Sequence, residues 1–194
     1  LINIRSGANN APVATRNIIT VEKGASLTLL EAHAQIGGAE AAYGNFATDT
    51  DVAEGAEFAH IQVVCGGSGT THLAHWRTRI GAEATYRAFQ LTAGTGLARN
   101  ELTIGFTGPD AKLDISGAFL GRGSDHIDTT LVVDHSTTGC ESRELFKGVL
   151  DGHARGVFQG KIVVQAEAQK TDGKQMAQAL MLSEDAEFDS KPEL

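Results

Sequence analysis

One turn phrase recurs along this chain: an acidic, polar or glycine residue, usually followed by alanine, and then a run with alternating apolar residues. It appears as KGASLTLL, EGAEFAHIQVV, IGAEATYRAFQL, PDAKLDISG, DGHARGVFQGKIVV and EDAEFDS, with alanines at 25, 56, 82, 111, 154 and 186. The intervals between them are 31, 26, 29, 43 and 32 residues. A phrase reused at this length, with two or three short strands per unit, marks coils stacked as a β-solenoid. A Greek-key sandwich also joins short strands by turns, but nothing in it requires one turn phrase at such an interval. Six coils about 4.8 Å apart span roughly 30 Å. The expected fold is all-β, a right-handed parallel β-helix, with residues 1–194 as a single domain.

The segments between the turns support this reading. In ELTIGF, Leu102, Ile104 and Phe106 share one parity and Glu101 and Thr103 the other. KLDISGAFL sets Leu113, Ile115 and Phe119 against Lys112, Asp114 and Ser116. HIDTTLVVDH sets Ile127, Leu131 and Val133 against Asp128, Thr130 and Asp134. Alternation of period two is what a strand with one buried face requires. NIITVE, SLTLLE, AHIQVV and GKIVVQ are rich in β-branched or apolar residues and also read as strands. QMAQALML is the one segment that competes for a helix, and it is short.

Composition excludes several functions. The formal charge is −8, and no dense Lys/Arg cluster is present to neutralise phosphates, so nucleic acid is not an expected partner. No run approaches the ~18 apolar residues of a membrane span. Cys65 and Cys140 are the only cysteines, which reads as a reducing compartment and not a disulfide framework. The opening LINIRSGANNAPVATRNIIT lacks the apolar core of a secretory leader. It also lacks an initiating Met, and the expectation is a fragment of a longer chain.

Candidate chemistry is sparse. Cys140, His135 and Asp134 supply the residue types of a nucleophile, base and orienting acid. His135 continues the inward parity of Leu131 and Val133, however, and points to a structural role, while Cys140 lies in a loop as an accessible soft ligand. In THLAH, His72 and His75 point to opposite faces of a strand and do not converge on a metal. No CxxC, HExxH or EF-hand pattern occurs. Asp125, Asp128 and Asp134 raise the alternative of a β-helix lyase or hydrolase acting on acidic sugars through clustered carboxylates. Asp128 and Asp134 share the outward parity, whereas Asp125 does not. GGSGTTH, residues 66–72, resembles a phosphate loop only in glycine content and lacks the GK[ST] ending. No catalytic residue is expected.

The C-terminal half carries a more specific signal. The DH pair at 134–135, CESRELFKGVL, GVFQGKIVV, AQKTD and the final DSKPEL together resemble the SufB/SufD family of iron–sulfur cluster assembly proteins, the SufD branch in particular. The likeness is dense from about Arg99 to Leu194. Before that it rests on RNIITVEKGASLTLLE and the shared rhythm. The resemblance implies a parallel β-helix, as the repeat does. It also implies a non-catalytic scaffold that pairs with a SufB-like subunit and with a SufC-like ATPase to build a transient iron–sulfur cluster in the cytoplasm. In the family a Cys and a His in a KCSHG motif follow the KPEL ending, and the helical region that docks the ATPase follows later. Both fall beyond Leu194. Within residues 1–194, Cys140 and His135 are the candidate auxiliary cluster ligands, and no cofactor is expected. Open solenoid ends further predict a homodimer of this segment.

Overall fold

The computed structural model describes residues 1–6, 11–36 and 42–194, and all their regular structure is strand. In chain order the strands are β1 (Ile2–Ser6), β2 (Val13–Val21), β3 (Ser26–Ile36), β4 (Ala42–Val52), β5 (Glu57–Cys65), β6 (Thr70–Ile80) and β7 (Thr85–Ala93). They continue as β8 (Leu97–Phe106), β9 (Lys112–Gly121), β10 (His126–His135), β11 (Glu141–Leu150), β12 (Arg155–Val164), β13 (Asp172–Met181) and β14 (Glu187–Glu193). The odd-numbered strands form one seven-stranded sheet in order and the even-numbered strands a second. Adjacent strands within each sheet run parallel. The chain therefore passes from one wall to the other and back, two strands to a coil, in a β-helix of about six turns. QMAQALML lies mostly in β13, so it is strand and not helix. No described helix is long and apolar enough to cross a membrane.

The turn phrase has a backbone explanation. Just before β3, β5, β7, β9, β11 and β13 sit Gly24, Gly55, Glu83, Asp110, Gly139 and Lys170, all with φ between 56° and 72°. This left-handed region is free to Gly and tolerated by Asp more readily than by most residues. The next residue is Ala25, Ala56, Ala84, Ala111 or Cys140, and its carbonyl accepts the backbone N–H that opens the strand one coil on. The bonds run from Glu57 to Ala25 and Thr85 to Ala56 at 2.9 Å, and from Glu141 to Ala111 at 3.0 Å. Asp172 N–H closes the series on the Cys140 carbonyl at 3.1 Å.

Two details of the repeat are corrected. The third rung is Ala84 and not Ala82, because IGAEAT offers an alanine on each side of Glu83 and the hydrogen-bond register selects the second. Ala154 and Ala186 belong to the opposite corner, where Arg155 N–H bonds the Asp125 carbonyl at 2.9 Å and Glu187 N–H that of Ala154 at 3.0 Å. The long interval between Ala111 and Ala154 is thus a coil and a half, and each coil holds two strands.

Inward parity fills the core as expected. Leu102, Ile104, Phe106, Leu113, Ile115, Phe119, Ile127, Leu131 and Val133 are all buried. Between β9 and β11 the packing alternates ring and void. Gly117 pairs with Phe146 and Phe119 with Gly148, and a Cβ on either glycine would overlap the facing ring. Adding a methyl there forces rings off their rotamers. Gly148→Ala should lower unfolding free energy by about 1–3 kcal/mol in urea titration. Cys140→Ala, which restores the residue of the rungs below it, should cost only about 1 kcal/mol, since it removes one heavy atom.

Candidate functional site: a buried carboxylate–histidine chain

Strand β3 carries Glu31 and His33 on the inward parity of Leu27 and Leu29, so period two sends a carboxylate and an imidazole into the core. The parallel register then places Gln62 of β5 beside Glu31, and Gln90 of β7 beside Gln62. Three successive coils thereby stack polar groups in one column. His33 Nε2 donates to Glu31 Oε1 at 2.9 Å, and His60 Nε2 to Glu31 Oε2 at 3.1 Å. Gln62 Nε2 reaches the same Oε2 at 3.3 Å, and Gln90 Nε2 donates to Gln62 Oε1 at 2.9 Å. The Tyr86 hydroxyl donates to His60 Nδ1 at 3.4 Å. Glu31, Gln62 and Tyr86 are fully enclosed, and His33, His60 and Gln90 nearly so.

The electrostatics follow from this packing. Burial pushes the Glu31 pKa up, but hydrogen bonds and charge from His33 and His60 outweigh it and hold the carboxyl well below the usual range. With both Nε2 atoms donating to the carboxylate, Nδ1 is the nitrogen left to each ring for a second partner. Burial likewise pushes the Tyr86 phenol up, so it stays a donor. Trp76 stacks on His60 with centroids 4.2 Å apart, and Phe46 packs edge-on against His33 at 4.2 Å. The chain ends at His33, whose Nδ1 is buried without a hydrogen-bond partner among the described residues. His33 lines a small cavity of about 20 Å³ together with Asn3, Val64, Thr70 and Thr95.

The triad suggested by the sequence is not assembled. Asp134 faces outward and accepts from Gln165 at 3.2 Å. Cys140 is not the accessible thiol expected of it: it is fully buried as a corner rung, with Sγ 3.5 Å from the Gly108 carbonyl and 3.2 Å from Thr137 Oγ1. His135 does point inward, and its Nε2 meets Ser142 Oγ at 3.0 Å, which in turn donates to Glu144 Oε1 at 3.1 Å. Burial lowers the His135 pKa. Burial also pushes Glu144 up to about 7, with the Ser142 hydroxyl opposing. His72 and His75 fall on opposite faces as expected, His72 in the core and His75 outside beside Glu101 at 3.6 Å. Among the described residues no three His, Cys, Asp or Glu side chains converge to hold a metal ion. Sequence reading missed Glu31, His33 and His60. The usable signal was that Glu31 and His33 stay in phase with the leucines before them.

Two stability effects of opposite sign follow. Glu31 has a folded pKa below its unfolded value of 4.5, so its contribution is present above that pH and lost as pH falls. Glu31→Ala strands two imidazoles and should cost about 3–5 kcal/mol at neutral pH in urea unfolding. Glu144 has a folded pKa above 4.5, so the folded state holds its proton longer and stability declines between pH 4.5 and about 7. Glu144→Gln should flatten that decline in denaturant titrations at pH 5 and 8, leaving the acid loss due to Glu31 in place.

The model of the SUF system FeS cluster assembly SufBD core domain matches residues 4–194, and so extends through the half where the sequence likeness is loose. The chain is similar to the iron–sulfur cluster assembly protein SufD of Escherichia coli, 27% identical over 197 residues, which is all of this chain and 46% of that protein. A SufBD family iron–sulfur cluster assembly protein of Mycobacterium tuberculosis is 27% identical over 150 residues, 74% of this chain and 38% of its own. One from Synechocystis is 26% identical over 191 residues, 94% and 42%. The chain spans less than half the length of each of these relatives. With a strand-only β-helix whose two walls run the length of that match, this chain belongs to the SufBD core domain family of the iron–sulfur cluster assembly system.

Proposed function

We propose that this chain is the β-helix core of a SufD-like scaffold subunit, non-catalytic, which acts with a SufB-like subunit and a SufC-like ATPase in the cytoplasm. The family match across residues 4–194 carries this reading. The interior agrees with it: apart from His33 Nδ1, the carboxylate, imidazoles and amides of the buried column are spent on one another. Such a column fixes the spacing of successive coils and gives a partner a rigid wall, which is what a scaffold supplies. The iron–sulfur cluster is cargo of the assembled complex, held by soft ligands at a shielded position. Cys140 and His135 take no ligand role in this reading. Each is fully enclosed and engaged, the thiol with backbone carbonyls and the imidazole with Ser142.

The polysaccharide alternative is not favoured by the carboxylates. Asp125 is buried and accepts the Arg122 backbone N–H at 3.1 Å, Asp128 lies 3.3 Å from Arg99, and Asp134 is bonded to Gln165. They do not converge on one point where a glycosidic bond could sit.

The test is co-expression of the full-length polypeptide with its SufB-like and SufC-like partners. A stoichiometric complex should purify and gain a brown chromophore on anaerobic loading with iron and sulfide. A full-length chain that captures neither partner overturns the proposal. Within that complex Cys140→Ala should leave iron and sulfide content unchanged, and loss of the chromophore would return Cys140 to the ligand set. Light scattering of the segment alone checks the expected homodimer, which a monomer at high concentration would exclude.

A further inference from the structure

The buried chain on β11 ends on an oxygen that faces a second loose end in register. Ser142 and Glu144 lie on the inward parity of β11, enclosed beside His135 of β10. His135 Nε2 meets Ser142 Oγ at 3.0 Å, and the Ser142 hydroxyl donates to Glu144 Oε1 at 3.1 Å. Glu144 Oε2 is left buried without a hydrogen-bond partner among the described residues. One coil on, Gln175 of β13 is the register partner of Glu144, and its Oε1 is likewise buried and unpartnered. Across the core, Gly160 of β12 makes room for that amide, since a Cβ there would overlap it. An amide oxygen can only accept, and so can an ionised carboxylate. Two buried acceptors on adjacent rungs each carry a desolvation penalty that a single proton between them removes.

We propose that Glu144 is a neutral acid whose Oε2–H donates to Gln175 Oε1, forming a proton-dependent latch between the coil of β11 and the coil of β13. Counting donors selects this arrangement. With the proton on Oε2, the His135 Nε2–H, the Ser142 hydroxyl, both Glu144 oxygens and the Gln175 oxygen join one chain from β10 to β13. With the proton on Oε1, the Ser142 hydroxyl turns back to His135, and Glu144 Oε2 and Gln175 Oε1 stay unpaired. The surroundings favour the neutral form. On the inward faces of β9 to β13, His135 is the only other titratable side chain, and burial lowers its pKa, so it brings no positive charge to hold the carboxyl ionised. Asp114, Arg143 and Lys174, on β9, β11 and β13, point to the opposite face. Burial pushes Glu144 up to about 7, so solvent supplies the proton below neutrality and takes it away above. Without it, a carboxylate oxygen faces an amide oxygen and β13 loses this side-chain tie to β11. The latch does not depend on the assembly role.

The carbonyl stretch of an un-ionised carboxylic acid provides the test, read in the full-length polypeptide. The infrared difference between the native chain and Glu144→Gln should show one such acid at about pH 6, fading as pH rises through about 7. Gln175→Met removes the accepting oxygen and should make the acid about tenfold more dissociable. Ser142→Ala removes the donor to Oε1 and should move the midpoint the opposite way. Side chains that only fill space would not give shifts of opposite sign. Gln175→Asn, which withdraws the amide by one methylene, should shift the midpoint as methionine does and serves in its place if that variant does not fold. Backbone amides of β13 should lose about fivefold protection from hydrogen exchange, corrected for the intrinsic rate, between about pH 6 and pH 8, and lose none in Glu144→Gln. Absence of the acid band at about pH 6, as an amide turned to give its N–H to an ionised carboxylate would produce, overturns the proposal. So does a midpoint in the Gln175 variant equal to the native one, or β13 protection that does not follow the band.

Discussion

Everything in this molecule depends on one repeated backbone bond: the N–H that opens a strand donates to the carbonyl of the small corner residue one coil earlier. That residue must be small, because it sits where two walls meet and the next coil lies directly upon it. Ala25, Ala56, Ala84, Ala111 and Cys140 satisfy this on one corner. The residue before each adopts a left-handed φ, which reverses the chain without lifting it off the stack. Once the corners align, each strand has a single register, and with a side-chain period of two the register decides which residues are enclosed.

Enclosure by register explains why charged residues lie in the core. Glu31 is inside because its strand position puts it there, and its neighbours in the column are those that the same register delivers. A buried carboxylate that receives three donors is tolerable; the same carboxylate with one donor removed is not. The column therefore adds less net stability than its hydrogen bonds suggest, while strongly penalising any slip of one coil against the next. In β11 the same logic gives a different outcome. Glu144 has only the Ser142 hydroxyl for company, so it keeps its proton close to neutrality.

Strand parity was legible in the sequence wherever apolar and polar residues alternate cleanly, as in β8, β9 and β10. The rhythm of the corners was legible too, but not which corner a phrase belonged to, because both corners make the same demand for a compact residue after a turn. IGAEAT could not be resolved locally, since moving by two residues preserves every facing. Glu31, His33 and His60 were obscured because Glu and His on a strand read as solvent-facing until neighbouring coils are laid in register. Cys140 was misread for a similar reason: a thiol following Thr-Thr-Gly looks like a loop ligand, and only its place above Ala111 shows that it substitutes for alanine.

The uniform cross-section has a consequence for length. Because one coil repeats the outline of the last, position along the axis is a linear function of coil number, at about 4.8 Å per step. Inserting or deleting a whole coil would move everything beyond it by one step and leave both walls unchanged in shape. The solenoid is therefore a ruler, and related proteins could retune the separation between features at its two ends by counting turns, without redesigning either face.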